Sequence, residues 1–324
     1  MKTFTQVLEQ LNTALAEVQY PDKPEGLYEP IRYILSLGGK RIRPVLLLMA
    51  YELYRDDITK VMPAAISIET YHNYTLLHDD LMDCASVRRG KPTVHKVWNA
   101  NTAILSGDSM MVLAYRYMIE ASAACGKDVL PLFTDTALEI GEGQQYDMNF
   151  ENRTDVTEAE YIEMIRLKTS VLLACALKIG AMLAGAPEPD ADNLYRFGEC
   201  IGLAFQLQDD YLDVYGDPVV FGKKIGGDIL CNKKTYMLIN AYRLANDEQR
   251  AVLEYWLAQS DGAPEEKIKG VTELYTELGI PALCNERIES FFVEGKTYLD
   301  KVDLPEEKKW NLWAFAASLM NRQS

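Results

Sequence analysis

The chain has 324 residues, 48% of them hydrophobic, which is enough apolar material for a sizeable core. Its 33 basic and 48 acidic residues give a net charge of −15, and this argues against a nucleic-acid phosphate backbone as a partner. The composition is that of an ordinary soluble globular protein and leaves the fold open.

The spacing of the prolines predicts an all-α chain. Long runs rich in Ala, Leu, Met, Glu and Lys separate the thirteen prolines, at 93–130, 132–186 and 219–263. Such runs favour helices, and no sustained strand alternation interrupts them. We expect a single domain over 1–324, with loops near 187–192 and 217–228 where Gly, Pro and Asp dominate.

The first motif along the chain is GGKRIRP, residues 38–44, in which three cations follow a glycine pair. Glycine permits close backbone approach, and arginine offers two parallel donors to phosphate oxygens. By itself the run is more typical of a solvated loop. Lys40 and Arg43 become candidates for phosphate binding only together with the acidic residues that follow.

The next predicted helix ends in the pentad DDLMD, residues 79–83. Asp79 and Asp83 are four residues apart and project from the same helix face, with Asp80 beside them. We call these three the first acidic cluster. Their charges repel unless a cation lies among them, and magnesium is usually held by a few carboxylates together with water and substrate phosphates. The cluster therefore predicts a magnesium site for a substrate that carries a diphosphate.

Basic residues and histidines surround this cluster. The run RRGKPT, with Arg88 and Arg89, follows within ten residues. The three histidines of the chain all lie within 24 residues: His72, His78 and His95. Their spacing fits no usual helical pair of zinc ligands, and oxygen-rich surroundings favour magnesium. We interpret them as phosphate-binding or supporting groups, and His72 lies two helical turns before Asp79, on nearly the same face.

A further helix is predicted over 158–184, because Thr157 and Glu160 form a capping box and an apolar stripe that begins at Tyr161 follows. Lys168 lies on this stripe. A charge there is costly unless the side chain reaches water or meets an anion. Thr169 adds a small polar group beside it.

A second pentad of the same pattern, DDYLD, occupies residues 209–213. A lone DDxxD is usually a solvated helix face, but two copies that both follow apolar helical segments predict one metal site built from two helices. Its aspartates form the second acidic cluster: Asp209, Asp210 and Asp213. Gln206 precedes it, and Lys223 and Lys233 follow it. An apolar cavity below a mouth of carboxylates would suit a lipid diphosphate.

These motifs, in this order, resemble the trans-isoprenyl diphosphate synthases of the polyprenyl synthetase family. The resemblance covers most of the chain and rests on GGKRIRP, HDDLMD, RRGKPT, Gly107-Asp108, Lys168-Thr169 and QDDYLD. It implies the isoprenoid synthase fold, a bundle of about a dozen helices around a central cavity. It also implies a homodimer, with the two acidic clusters facing each other across the cavity mouth.

The resemblance further assigns roles to individual residues. Magnesium, about three ions with manganese as a substitute, is assigned to the aspartates of the two clusters, namely Asp79, Asp80, Asp83 and Asp209 and, more loosely, Asp210 and Asp213. The allylic diphosphate is assigned to Arg88, Lys168 and Lys223, with Lys233 as a further substrate-binding residue. Isopentenyl diphosphate is assigned to Lys40, Arg43, His72 and Arg89. The Thr169 carbonyl and Gln206 would stabilise an allylic cation.

The implied reaction is ionisation, condensation and elimination. Magnesium would neutralise the leaving diphosphate of a dimethylallyl, geranyl or farnesyl substrate. The double bond of isopentenyl diphosphate would then attack the cation, and the released diphosphate would remove the proton. A dry apolar cavity would protect the cation from water. No protein base is required, which accounts for the absence of a nucleophile motif.

Product length depends, by the same resemblance, on bulky residues four, five and eight positions before the first aspartate: Thr75, Tyr74 and Tyr71. Helical geometry places Thr75 below Asp79 and Tyr74 on the flank, so a floor role for Tyr74 rests on resemblance alone. A tyrosine there argues against very long products. The first pentad lacks the two-residue insertion of bacterial farnesyl enzymes. We expect a fifteen- or twenty-carbon product and favour twenty.

The cell compartment and three rival functions are also addressed by the sequence. Six scattered cysteines without a CxxC pair, and no signal-peptide or membrane-spanning stretch, predict a cytoplasmic protein.

The full second DDxxD argues against the first rival function, a class I terpene cyclase, which normally has a mixed second metal motif. A silent partner subunit tends to lose aspartates. An acidic scaffold would leave both basic runs unexplained.

Overall fold

The structure is a computed structural model that describes residues 2–217, 225–259 and 264–320. Apart from one short hairpin, the regular structure of these residues is helical, and the predicted all-α class is confirmed. The helices are α1 Phe4–Glu17, α2 Glu25–Ser36, α3 Ile42–Glu52, α4 Met62–Met82, α5 Val94–Val97, α6 Ala100–Cys125, α7 Leu130–Glu151, α8 Glu158–Ile165, α9 Val171–Ala184, α10 Glu188–Tyr215, α11 Gly227–Leu230, α12 Tyr236–Leu244, α13 Asp247–Leu257, α14 Pro264–Glu277, α15 Ile280–Asp300 and α16 Glu306–Met320. A 3₁₀ turn, Thr59–Val61, precedes α4.

The helix predicted over 158–184 is present but is not a uniform α-helix. A π-helical turn, Arg166–Ser170, separates α8 from α9, and we call it the π segment. The predicted capping box is confirmed, since Thr157 and Glu160 exchange side-chain and backbone hydrogen bonds. A single π turn inside an α-helix is often found at a functional site. Here it contains Lys168 and Thr169.

The loop predicted at 187–192 is wrong, because α10 begins at Glu188. A proline in the first turn removes an N–H that has no helical partner anyway. The acidic side chains of Glu188 and Asp190 are favoured there by the helix dipole. The other predicted loop is described only in part, since 218–224 lie outside the described residues, and its last residues begin α11.

The run RRGKPT forms the hairpin, in which β1, Val87–Arg88, pairs antiparallel with β2, Lys91–Pro92. The two turn residues both have left-handed backbones, with φ of 52° at Arg89 and 74° at Gly90. This is the pattern of a type I′ turn, which matches the twist of paired strands. The turn fixes the directions in which the two arginines leave the backbone.

The chain divides into two compact units. Unit 1 comprises Met1–Thr134, Cys175–Tyr195 and Val302–Leu312, and unit 2 comprises Asp135–Ala174, Arg196–Lys301 and Trp313–Ser324. The first acidic cluster belongs to unit 1 and the second to unit 2. The single domain over 1–324 stays a prediction.

Each unit has a packed core that holds its acidic helix. In unit 1, almost every side chain of α4 from Ala64 to Asn73 is buried, and α4 packs mainly against α6. In unit 2, Leu203, Ala204 and Leu207 of α10 join a buried cluster with residues of α8 and α12. Burying one such leucine contributes about 1.5–3 kcal/mol. Both clusters of aspartates thus lie on helices that the core holds in place.

Within the described ranges, one helical stretch, Glu158–Ala184, has the length and apolarity of a membrane span. Its most apolar window is 78% buried inside the protein, and it includes the π segment. We therefore assign it to the core.

Candidate active site

In the first acidic cluster, Asp79 and Asp80 lie in the last turn of α4 and Asp83 directly follows it, and Arg88 of the hairpin reaches back to the first two. The guanidinium of Arg88 places Nε 2.7 Å from Oδ2 of Asp80 and Nη2 3.6 Å from Oδ2 of Asp79. Asp79 keeps 20% of its side chain exposed, whereas Asp80 keeps 4%. One arginine therefore joins two of the three aspartates.

Asp80 has the features of a cation ligand. Its Oδ1 is buried and has no hydrogen-bond partner within 2–217, 225–259 and 264–320. Burial raises the pKa of Asp80, and the Arg88 guanidinium opposes that shift. A buried carboxylate oxygen without a donor is costly unless a cation or water meets it. This donor set fits magnesium, a hard cation that prefers oxygen.

The described residues do not form a complete metal cage by themselves. Among the described residues, no three Asp, Glu, His or Cys side chains are close enough to hold a metal ion. Magnesium usually takes one or two carboxylates and completes its shell with water and substrate phosphates. The arrangement therefore fits magnesium better than a zinc site, which would need three or four protein ligands.

The glycine pair of GGKRIRP makes room for Arg89. Gly39 has a φ of 132°, and a Cβ on it would lie 2.8 Å from Cζ of Arg89. Arg89 donates through Nη1 to the carbonyl of Gly38, and the same nitrogen is 3.5 Å from Oδ1 of Asn73. The two basic runs, 50 residues apart in the sequence, therefore meet beside α4.

The three cations of GGKRIRP differ in their surroundings. Arg41 is buried in a left-handed conformation and pairs with Glu69 of α4, while its Nη2 donates to the carbonyl of Leu35 at 2.7 Å. Lys40, which precedes it, is exposed. Arg41 therefore fixes the loop, and the residues predicted for phosphate binding, Lys40 and Arg43, flank that fixed point.

Arg43 and His72 are neighbours, as their predicted shared role requires. Nη1 of Arg43 lies 3.4 Å from Nε2 of His72. Removal from water and the adjacent guanidinium hold the pKa of His72 well below its ordinary value. Because arginine can only donate, Nε2 of His72 must accept and the ring is neutral. Its Nδ1 then carries the proton.

The other two histidines have different environments. Nε2 of His78 lies 3.2 Å from the carbonyl of Ile104 on α6, and the ring meets Tyr74 edge-on at 4.9 Å. His78 therefore supports packing between α4 and α6. Both ring nitrogens of His95 are buried without a hydrogen-bond partner in the described part of the chain.

The predicted chain-length residues lie in a row of aromatic rings within unit 1. Tyr71 meets Tyr74 and Phe133 edge-on, each at 5.3 Å between ring centroids, and Phe133 meets Tyr115 at 5.0 Å. Thr75 donates its hydroxyl to the carbonyl of His72 at 2.8 Å. The sequence pointed to Tyr71 and Tyr74 but not to Phe133, which is remote from them in the chain.

In unit 2, Lys168 of the π segment forms an ion pair with Asp147 of α7, with Nζ 2.7 Å from Oδ2. Glycines allow the neighbouring helices to approach this segment closely. A Cβ on Gly143 of α7 would lie 2.8 Å from the carbonyl carbon of Leu167, and one on Gly202 of α10 would lie 2.7 Å from Cα of Ser170. The π segment is thus held on two sides by backbone.

A hydrogen-bonded chain joins the π segment to the second acidic cluster. Thr169 donates its hydroxyl to Oε1 of Gln206 at 3.0 Å, and Nε2 of Gln206 donates to Oδ1 of Asp210 at 3.0 Å. The other oxygen of Asp210 accepts from the hydroxyl of Tyr161 on α8. Burial raises the pKa of Asp210, and the ammonium of Lys233 opposes that shift.

The remaining members of the second cluster lie at the end of α10. Oδ2 of Asp213 accepts from the backbone N–H of Asp228, in the first turn of α11, at 2.9 Å. Oδ1 of Asp228 lies 3.7 Å from Nζ of Lys233. Asp209 is one helical turn before Asp213, on the same face. Lys223, predicted to bind the allylic diphosphate, lies outside the described residues.

Three residues of these surroundings were missed in the sequence: Asp147, Tyr161 and Asp228. Tyr161 was assigned to an apolar stripe. Only its position seven residues before Lys168, on nearly the same helix face, indicated that it could lie near the site. Asp228 follows a glycine pair at the start of a helix. Asp147 carried no signal, because its partner is 21 residues away.

Comparison with known proteins adds an independent argument for the family of this chain. The sequence profile of the polyprenyl synthetase family matches residues 24–275. A geranylgeranyl diphosphate synthase of Methanosarcina mazei is 39% identical over 300 residues, 92% of this chain and 90% of that protein. A geranylfarnesyl diphosphate synthase of Natronomonas pharaonis is 36% identical and covers 97% and 95% of the two chains. A crystal structure of a geranylgeranyl pyrophosphate synthase matches with a TM-score of 0.93, at 41% identity and full coverage of both chains.

Proposed function

Since this chain belongs to the polyprenyl synthetase family, we propose that it condenses isopentenyl diphosphate with an allylic diphosphate to give geranylgeranyl diphosphate. As a member of the family it is a prenyltransferase, a transferase of isoprenoid synthesis. The observation that carries the proposed product is the 39% identity, over 92% of the chain, with a geranylgeranyl diphosphate synthase. Farnesyl diphosphate is the second candidate.

Bound magnesium would neutralise the diphosphate of the allylic substrate as its carbon–oxygen bond breaks. In this proposal Asp79, Asp83 and Oδ1 of Asp80, which has no hydrogen-bond partner among the described residues, are the metal ligands of unit 1, and Asp209 and Asp213 are those of unit 2. The guanidinium of Arg88 already neutralises part of the charge of the first cluster. It thereby lowers the cost of keeping two carboxylates side by side.

Lys168 would bind the same diphosphate. Its ion pair with Asp147 holds the ammonium on an otherwise apolar stripe, so the charge is in place before substrate arrives. Preorganised charge of this kind stabilises a transition state without reorganisation. Lys233 and Lys223 would add further cations.

Isopentenyl diphosphate would bind at the cations around GGKRIRP, namely Lys40, Arg43 and Arg89. The neutral ring of His72 leaves Nδ1–H as a donor, since Nε2 accepts from Arg43. A donor beside three cations suits a diphosphate. The released diphosphate takes the proton, and no side chain is needed as a base.

We also propose a cytoplasmic homodimer. A stripe on α6 leaves three large apolar side chains more than half exposed at a spacing of seven residues, namely Leu105, Val112 and Ile119. A second copy would bury such a stripe, which is costly to leave in water. None of the six cysteines, all of which lie in the described ranges, is in a disulfide, as a reducing compartment would keep them.

The test is elongation by the purified protein with magnesium, isopentenyl diphosphate and each of dimethylallyl, geranyl and farnesyl diphosphate, with products sized by chromatography. We expect geranylgeranyl diphosphate as the main product. Asp79→Ala should lower kcat by about 10²–10³-fold, since it removes a group that stabilises developing charge. Asp135→Ala, an exposed aspartate of α7, is the control and should be fully active. No elongation of any substrate by folded wild type would refute the proposal.

A further inference from the structure

We propose that Asp210, although it belongs to the second DDxxD pentad, is a positioning residue that acts with Tyr161 to orient Gln206 and Thr169. This inference rests on the proposed function, because Gln206 and Thr169 are the two residues assigned to the allylic cation. It separates Asp210 from the metal-binding aspartates of its own cluster. It also gives Tyr161 a role that its apolar stripe did not suggest.

The first step is the use of the two oxygens of Asp210. Oδ2 accepts from the hydroxyl of Tyr161, and Oδ1 accepts from Nε2 of Gln206 at 3.0 Å. The side chain is buried, with 3% of the residue exposed. Asp80, at the equivalent place in the first pentad, is equally buried but keeps Oδ1 without a donor in the described part of the chain. At the second position, the first pentad therefore offers a metal a carboxylate oxygen without a donor in the described residues, whereas in the second pentad both oxygens of Asp210 already accept hydrogen bonds.

The second step is the orientation of the Gln206 amide. Its two ends differ chemically, since the NH₂ end only donates and the oxygen only accepts. Both oxygens of Asp210 accept hydrogen bonds, so Asp210 meets the NH₂ end of Gln206 and Oε1 turns the opposite way. Oε1 then meets the hydroxyl of Thr169 at 3.0 Å. Asp210 thus selects one of the two orientations of the Gln206 amide, the one in which Oε1 faces Thr169.

The third step is the rigidity of the frame. Tyr161 lies on α8, Thr169 on the π segment and Gln206 on α10, so the chain of hydrogen bonds ties three elements. Tyr161 has 1% of its surface exposed. Gly202 of α10 contacts the π segment through backbone, which leaves the segment little room to move. The carboxylate therefore acts on groups whose positions are already confined.

The consequence for the reaction is electrostatic. Oxygens that are fixed before the reaction stabilise a developing positive charge without having to reorient. Asp210 fixes Oε1 of Gln206 directly and Thr169 through it. Removing either end of this chain should therefore lower the rate of ionisation and leave the binding of substrate and magnesium unchanged.

The experiment compares Tyr161→Phe and Asp210→Asn with wild type. Loss of a hydrogen bond to a charged group corresponds to about a 10- to 100-fold fall in kcat. We expect that fall in both variants, with KM for both diphosphates unchanged. Tyr236→Phe, which removes the hydroxyl of another buried tyrosine of unit 2, should keep full activity. Full kcat in Tyr161→Phe would overturn the proposal.

A second measurement is independent of turnover. Isothermal titration of magnesium is carried out with a non-ionising allylic diphosphate analogue bound to wild type, Asp210→Asn and Asp209→Ala. We expect unchanged magnesium affinity in Asp210→Asn and weaker binding in Asp209→Ala. Weakening of at least tenfold in Asp210→Asn would make Asp210 a ligand and overturn the positioning role. Failure of the proposed function itself would be seen separately, as absence of elongation by wild type.

Discussion

Replacement of Gly143 by alanine tests how closely α7 must approach the π segment. A Cβ at this position would lie 2.8 Å from the carbonyl carbon of Leu167, and closer still to the backbone nitrogen of Lys168. Ordinary van der Waals contact begins at 3.4 Å. Because the obstructing atoms are backbone, no side-chain rotation relieves the clash, and either α7 or the π segment must move.

Two effects of opposite sign decide the magnitude. Alanine is favoured over glycine in a helix by about 1 kcal/mol, whereas overpacking a tight contact costs about 1–3 kcal/mol or more. Because the clash is with backbone, the overpacking cost lies at the upper end, and we expect Gly143→Ala to lower the free energy of unfolding by a net of about 2 kcal/mol. Displacement of Lys168 should also lower kcat, since a shift of about 1 Å in a reacting site can cost about 100-fold.

The matched control is Gly141→Ala, two residues earlier on the same helix. A Cβ there meets nothing within 4 Å, so only the helix propensity term remains. We expect this variant to be more stable than wild type by up to about 1 kcal/mol, with unchanged kcat. Urea unfolding gives the stability and a prenyltransferase assay gives kcat. If Gly143→Ala matches Gly141→Ala in both, α7 does not confine the π segment.

Two further changes concern unit 1. The folded-state pKa of His72 is depressed, so below about pH 6.5 the unfolded chain binds a proton that the folded protein does not. The contribution of His72 to stability is complete above that pH and is lost as the pH falls, by about 1.4 kcal/mol per pH unit. In urea unfolding between pH 7 and 5, the free energy of unfolding of His72→Gln should therefore fall less steeply than that of wild type. An equal slope in the two proteins would contradict this. Tyr74→Ala should lengthen the product, since it removes a ring from the row that includes Tyr71; unchanged chromatographic sizes would remove Tyr74 from the floor.

The sequence predicted those features that depend on local geometry. The all-α class followed from proline spacing, and the capping box of Thr157 and Glu160 from a four-residue pattern. The loop expected at 187–192 failed because the rule that proline ends helices does not apply to the first turn, where Pro189 lies. Local rules were therefore reliable where a motif marks the start of a helix, as at Thr157, and failed where only composition was used, as at 187–192.

Features that depend on distant partners could not be predicted. Arg41 looked like its neighbours Lys40 and Arg43, and only the position of Glu69, 28 residues later, separates its role from theirs. The π segment likewise has no period of its own in the sequence. It is held in place where Gly143 and Gly202, on two other helices, make room for it. Such contacts become visible only once the helices are packed.

The two DDxxD pentads show the same limit most directly, because identical patterns have different surroundings. Asp80 meets Arg88 and keeps an oxygen without a donor in the described residues, whereas both oxygens of Asp210 accept hydrogen bonds. We therefore expect Asp80→Asn to weaken magnesium binding by at least about tenfold, or about 1.4 kcal/mol, because it removes a charged oxygen ligand. In the calorimetric titration described for Asp210→Asn, equal magnesium affinities in the two variants would show that the neighbours of each aspartate do not set its role.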